Sequence, residues 1–344
     1  MAVNGNEAAT KSGAAGESAR GFSANGIRID ASFAEAFAMR ATALVVTADT
    51  PEWAEIAAQS LTGFATSIIA CGVEAGIDER LSPEATPDGR PGVRVLLFAS
   101  STSELQKQLQ NRVGQCVLTA PSAACYAGLA YQAGAERLRL GDALRYFGDG
   151  FQIAKRFGGR RFWRVPVMEG EFVCEAETGL TKEAVGGGNL LIMGPDPAAT
   201  RRAAERAAAA MRAIPGVILP FPGGIVRSGS KVGSKYKGLI ASTNHAYCPS
   251  LRGVVESALD PDIGAVLEIV IDGLTEQAVA EAMRAGLAAL IAAGPEGGCL
   301  RIGAGNYGGK LGKFHFHLAD LLPPEVPIQT LPPIQSLPSE SDAR

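Results

Sequence analysis

Glu268 is the only charged residue in the apolar run Ala265 to Ile271 (A-V-L-E-I-V-I). A carboxyl held in such a run loses solvation, which disfavours its charged form and moves its pKa toward neutrality, where a general acid or base works best. The same arrangement serves a buried ion pair with a Lys or Arg from a nearby loop, and the run alone leaves both readings open. A second candidate is the loop Ser228-Gly229-Ser230-Lys231-Val232-Gly233-Ser234-Lys235, where lysines and hydroxyls share a glycine-bearing stretch with many free backbone donors. That chemistry suits an anion, and it equally describes a solvated basic loop.

Other motifs lack the context their chemistry needs. Gly303-Ala304-Gly305-Asn306-Tyr307-Gly308 matches G-x-G-x-x-G after a strand, but Phe314 to Leu318 downstream alternates like a strand where a dinucleotide fingerprint opens a helix. Gly309-Lys310-Leu311 also lacks the hydroxyl that ends a P-loop. His315 and His317 fall on one face of that strand, and with His245 they are the only histidines; no Cys or carboxylate stands at a spacing that completes a metal site. No metal is expected. The six cysteines are scattered, none in a C-x-x-C pair, and most lie in apolar stretches, as in a reduced, cytoplasmic protein.

The elements that must position these groups follow from composition and pattern. The chain has 344 residues, a formal net charge of −3 and 47% hydrophobic residues, enough for two domains or lobes and without the basic excess of a nucleic-acid or lipid binder. No apolar run reaches the roughly 18 residues of a membrane span, and the N-terminus has no apolar signal core. Polar and small residues over 1–24 predict a flexible leader, and the proline-rich stretch 323–344 predicts an extended tail. Between them the pattern strand, helix, strand occurs four times. In the first half the strands are 43–48, 67–71, 93–98 and 115–119, with helices opening at Pro51 and Ser103. In the second they are 189–193, 217–220, 265–271 and 299–302, with helices over 196–214 and from Thr275 to about 292. The order predicts an α/β (α+β) protein of two similar ferredoxin-like lobes from an internal duplication, 25–167 and 168–322, with hairpins over 142–183. Aligning the halves on Ser103 and Thr275 places Leu96 opposite Glu268, so the fold itself does not demand a carboxyl there.

Several long strings resemble one family. They include D-x-x-F-A-E-A-F (30–37), T-G-F-A-T-S (62–67), E-A-T-P-D-G-R-P-G (84–92), G-Q-C-V-L-T-A-P (114–121), P-F-P-G-G-I-V (220–226), S-K-V-G-S-K (230–235), A-S-T-N (241–244) and A-G-N-Y-G-G-K-L-G (304–312). In this order, from about Asn25 to Asp320, they resemble the formylmethanofuran:tetrahydromethanopterin formyltransferases, most of all the bacterial members. The resemblance implies formyl transfer between the methanofuran amine and a pterin nitrogen of tetrahydromethanopterin, in formaldehyde oxidation to formate. The two coenzymes act as substrates, with no tightly bound cofactor. It also implies a homotetramer and partner chains of a formyltransferase/hydrolase complex. Glu268 matches the family's proposed proton-handling Glu. Ser228, Lys231, Lys235, Thr243, Asn244, Asn306 and Lys310 are candidates for substrate binding, with donors near Asn244 and Asn306 holding the oxyanion. His245 stands where the family's pattern has an acidic residue. The alternative class is a non-catalytic ligand-binding or scaffold subunit, since a duplicated ferredoxin-like fold does not by itself fix an activity.

Overall fold

A computed structural model of the chain describes residues 21–331 apart from 132, 133 and 326. In the first half, strands β1 (Phe22–Ala24), β2 (Ile27–Ile29), β3 (Phe33–Thr47), β4 (Glu74–Leu81), β5 (Gly92–Ala99) and β6 (Ala124–Ala127) alternate with helices α1 (Pro51–Thr62) and α2 (Thr102–Arg112). The order β4-β5-β3-β6 is antiparallel throughout. Strands β7 (Ile153–Phe157), β8 (Arg160–Val167) and β9 (Gly170–Glu175) extend it as a meander, within the stretch expected to form hairpins.

The second half repeats the plan. Strands β10 (Thr181–Gly194), β11 (Val217–Ile218), β12 (Ala265–Gly273) and β13 (Arg301–Gly303), with helices α3 (Pro197–Arg212) and α4 (Glu276–Ala293), form the antiparallel order β11-β12-β10-β13. β5 and β12 therefore occupy the same place in their halves, as the duplication requires. The long strands β3 and β10 also pair with each other, Phe37–Ala41 against Thr181–Gly186, so fifteen strands form one sheet. After β13 the chain adds β14 (Phe314–His317) to the start of β3 and β15 (Ile328–Thr330) to β1.

Each crossover helix is opened by a side chain that accepts from an otherwise unpaired N–H of its first turn: Thr50 from Trp53, Ser101 from Glu104, Asp196 from Ala198 and Ala199, Thr275 from Ala278. The cap of α2 is thus Ser101, two residues before the Ser103 used to align the halves. Glu268 precedes Thr275 by the same interval that Arg94 precedes Ser101. The strand pairings agree, with Glu268 opposite Leu191 and Arg94 opposite Val45. The residue equivalent to Glu268 is therefore Arg94, paired with Asp78 at 2.7 Å, and not Leu96. A two-residue slip preserves the face of a strand, so the conclusion that this place does not demand a carboxyl survives.

The helices cover one face of each half. In the second, Ala203, Ala204, Ala207, Ala208 and Met211 recur at helical spacing and pack with Val279, Met283, Leu287 and Leu290. Leu105 and Leu109 play this part in the first half, against Val93, Val95 and Leu97. Met39, Leu96, Phe98, Ala184 and Ile218 bury the seam between the halves. Each large apolar side chain taken from water contributes about 1.5–3 kcal/mol.

Two expected strands are absent. Residues 68–71 form a helical turn capped by Ser67 and ended by Gly72 at φ +72°, and Val113–Val117 continue α2 as a π-helical turn. In a short apolar run helix and strand spacing look alike, and here the caps decide. Parts of the segments expected to be a leader and a tail lie in the sheet. Residues 22–24 form β1 and 328–330 form β15, and their pairing, with Ala24 in the core, draws both segments into the sheet. Residues 1–20 and 332–344 lie outside the described residues.

Candidate active site

The two halves differ most in one connection. Residues 82–91 join β4 to β5, whereas 219–264 join β11 to β12, and the longer segment folds over the open face of the second sheet. Val226 binds the edge of β12 there, its N–H donating to Glu268 O at 2.7 Å and its carbonyl accepting from Glu268 N–H at 3.0 Å. Leu191, Met193, Leu259 and Ile263 bury the floor. Between this covering segment and the loop after β13 lies a cleft of about 1410 Å³, and Glu268 lines it.

Glu268 is half-buried, and loss of solvation pushes its carboxyl up to about 7. Among the described residues no Lys, Arg or His forms an ion pair with it, so the ion-pair reading is not realised; its salt-bridged counterpart in the other half is Arg94. A carboxyl near half-protonation beside an open cleft can both accept and return a proton.

Of the other candidates, Ser228, Lys231, Asn244 and Asn306 line the same cleft. Lys231 sits in a two-residue strand paired with Ala241-Ser242, which fixes the base of the glycine-bearing loop; Lys235 is exposed in the connecting turn. Thr243 and Lys310 are exposed and, like Lys235, are not part of the cleft wall. Asn306 faces the cleft but its amide is engaged elsewhere: Nδ2 donates to Phe33 O at 3.2 Å and Ser32 Oγ at 3.3 Å, and Oδ1 accepts from Gly308 N–H at 3.1 Å. His315 and His317 are exposed and lean on the Phe33 ring at 5.0 and 5.1 Å. Gly303 ends β13, Gly305 and Gly308 lie in the loop between β13 and β14, and none of them opens a helix.

Sequence reasoning missed the residues that hold this loop. Glu35, in β3, is buried, and its carboxylate accepts four backbone N–H groups, from Tyr307 (2.6 Å), Gly309 (2.9 Å), Leu311 (2.6 Å) and Gly312 (2.6 Å). Burial alone would raise its pKa, but these four donors outweigh that and hold it at about 2. Gly308 and Gly309, at φ +75° and +71°, make the turn that aims the donors inward, and a Cβ on Gly312 would lie 2.5 Å from Ala36 O. From the other side Asn189 brackets Gly305, accepting its N–H at 2.6 Å and donating to its carbonyl at 3.0 Å. The one signal for Glu35 was a lone charge inside the apolar run of D-x-x-F-A-E-A-F. Arg201, Arg227, Tyr247 and Tyr307 also line the cleft. Among the described residues no three His, Cys, Asp or Glu come together as a metal site. No helix among them is long and apolar enough to cross a membrane.

Comparison with known proteins gives the same picture. Residues 22–167 match the family model described as formylmethanofuran-tetrahydromethanopterin formyltransferase, and 170–321 match the model of that enzyme's proximal lobe. The chain is 58% identical to a component of the formyltransferase/hydrolase complex of Methylorubrum extorquens, covering 88% of this chain and 97% of that protein. It is also 58% identical to the formylmethanofuran–tetrahydromethanopterin formyltransferase of Methylococcus capsulatus, covering 87% and 99%. Its fold matches a chain in the crystal structure of the Methylorubrum extorquens formyltransferase/hydrolase complex with methylofuran, at a TM-score of 0.85, 57% identity and coverage of 88% and 98%.

Proposed function

The chain belongs to the formylmethanofuran–tetrahydromethanopterin formyltransferase family, and from this premise we propose that the cleft beside Glu268 is where the formyl group moves. The protein is an acyltransferase that transfers formyl between methanofuran and the pterin nitrogen of tetrahydromethanopterin, both coenzymes acting as substrates. The observation that carries the site is a half-buried carboxyl without a cationic partner among the described residues, raised to about 7, in the wall of the large cleft.

Transfer from nitrogen to nitrogen passes through a tetrahedral intermediate, so the site must hold an oxyanion and relay a proton. Glu268 takes the proton from the attacking nitrogen and returns it to the leaving one. Lys231 and Ser228, in the wall, meet anionic parts of the coenzymes, the glutamyl carboxylates of methanofuran or the phosphate of tetrahydromethanopterin. Lys235, Thr243 and Lys310, beyond the wall, meet the portions that extend past it, and Asn244 contributes its side-chain amide from the wall. Residues 25–167 and 168–322 are the two lobes, with the chemistry in the second. A homotetramer, held with partner chains in a formyltransferase/hydrolase complex of the cytoplasm, is the assembly we propose; the Methylorubrum relative, itself part of such a complex, supports the partner chains.

The test is formyl exchange between the two coenzymes, followed by pterin absorbance, with the full chain and with Glu268→Gln. The variant keeps the shape but cannot exchange the proton, so kcat should fall about 10²–10⁴-fold with KM little changed. The pH–rate inflection near 7 should disappear with it. Absence of exchange by the unaltered chain refutes the transfer reading, and near-normal kcat in a folded Glu268→Gln refutes the role of Glu268.

A further inference from the structure

The loop between β13 and β14 presents two polar side chains to the cleft, Asn306 and Tyr307. They are not equally available. A primary amide has two N–H donors, and those of Asn306 face Phe33 O and Ser32 Oγ, while its oxygen is taken by Gly308. The Asn306 side chain is therefore part of what holds the loop on β3. Tyr307 differs: it is 42% exposed, and its hydroxyl has no hydrogen-bond partner among the described residues.

The backbone beneath that phenol is fixed at both ends. Its own N–H is held by Glu35, which also holds three later residues of the loop, and Gly305 is clamped by Asn189. The ring rests beside Phe37, centroids 6.0 Å apart and tilted 51°. Burial, with the carboxyls of Glu268 and Glu35 nearby, pushes the phenol above its usual range, so it stays protonated through neutral pH. A protonated donor on a rigid loop, in electrostatic contact with the proton-handling carboxyl, is the arrangement that stabilises an oxyanion without reorganisation.

We propose that the hydroxyl of Tyr307, and not the amide of Asn306, is the donor with which this loop stabilises the formyl oxygen during transfer. The proposal rests on the reading of the cleft as the formyl-transfer site. In the step, the attacking nitrogen forms its bond to the formyl carbon and the carbonyl π pair moves onto oxygen, where the Tyr307 O–H bonds to it and keeps its proton. The attacking nitrogen gives its proton to Glu268. The pair on oxygen then re-forms the carbonyl, the bond to the leaving nitrogen breaks, and Glu268 protonates that nitrogen. The step needs no oxidant, reductant or further reactant.

The experiment is steady-state kinetics of the full chain with Tyr307→Phe, alongside Glu268→Gln. Loss of one oxyanion donor should lower kcat about 10²–10³-fold, with KM for both coenzymes and the thermal midpoint little changed. A folded Tyr307→Phe with normal kcat overturns the proposal, as does a rise in KM alone, which would make the phenol a ground-state contact. If Glu268→Gln is impaired in that case, the cleft reading stands and only the donor is lost; if it too is normal, the cleft reading falls. Should Tyr307→Phe not fold, 3-fluorotyrosine at position 307 provides a nearly isosteric, more acidic phenol. The alkaline limb of the rate profile should then move to lower pH, and an unmoved limb overturns the proposal.

Discussion

Replacing Glu35 with Gln removes the charge that four backbone N–H groups converge on, at almost constant volume. The carboxylate is held at about 2 against an ordinary 4.5, a preference for the charged form in the fold worth about 3 kcal/mol. An independent count agrees. The amide oxygen of Gln serves one pair of donors, but its NH₂ then faces the other pair, Tyr307 and Gly309 or Leu311 and Gly312. Two stranded buried donors cost about 1–3 kcal/mol each. Urea unfolding at about pH 7 should therefore show a loss near 3 kcal/mol. The sign with pH follows from the depressed pKa: the stabilisation is complete above the unfolded value and is lost as pH falls toward the folded one. The gap between the two proteins should narrow below about pH 4.5, to about 1 kcal/mol near pH 3, because only the natural chain takes up a proton on unfolding. Amide exchange at Tyr307, Gly309, Leu311 and Gly312 should quicken in the variant, and kcat should fall as the loop carrying Tyr307 loosens. A loss under about 1 kcal/mol at neutral pH, or a gap that does not vary with pH, would refute the reasoning.

Two further outcomes follow from the seam and the termini. Asp272 is fully buried and its carboxyl lies within hydrogen-bonding reach of Glu74 across the halves, while Gly187 N–H bonds Asp272 and Ile68 N–H bonds Glu74. Burial pushes both upward; the Glu74 carboxyl raises Asp272 further, while the hydrogen bond with Asp272 partly offsets the rise at Glu74, so the pair keeps a proton that the unfolded chain releases, and its stabilisation declines as pH rises. Asp272→Asn, whose amide can donate to Glu74, should gain thermal stability over the natural chain, by at most about 1.4 kcal/mol per pH unit, as pH rises above the ordinary carboxylate range; a difference that does not change with pH would exclude a shared proton. Removing residues 1–20 and 332–344 should leave the thermal midpoint unchanged, whereas removing 1–24 and 323–344 should lower it, since the longer cut deletes β1 and β15 and takes Ala24 from the core. Equal midpoints would show that this edge contributes nothing.

What the sequence determined by itself is local or periodic. Apolar runs at strand spacing, small apolar residues at helical spacing and hydroxyls or Asp ahead of each helix were enough for the order strand, helix, strand in the second half and for the opening strands and helices of the first, because these signals act within a few residues; the closing strands of the first half, Glu74–Leu81 and Ala124–Ala127, lie beyond the runs that suggested them. Glu268 was legible for the same reason, as a lone charge in an apolar strand. Where two local signals competed, at 67–71 and 115–119, the run was too short for spacing to decide. The alignment of the halves slipped by two residues because Ser101 and Ser103 are both hydroxyls before the same helix. Only the tertiary structure decided which side chains share the cleft: Glu35 and Asn189 meet the 305–312 loop across most of the chain, and the N–H groups they hold carry no residue-specific mark. The same holds for the contrast between Asn306 and Tyr307. By residue type either is a hydrogen-bond donor, and which one is free depends on Phe33 and Ser32, brought beneath the loop by the pairing of β14 with β3.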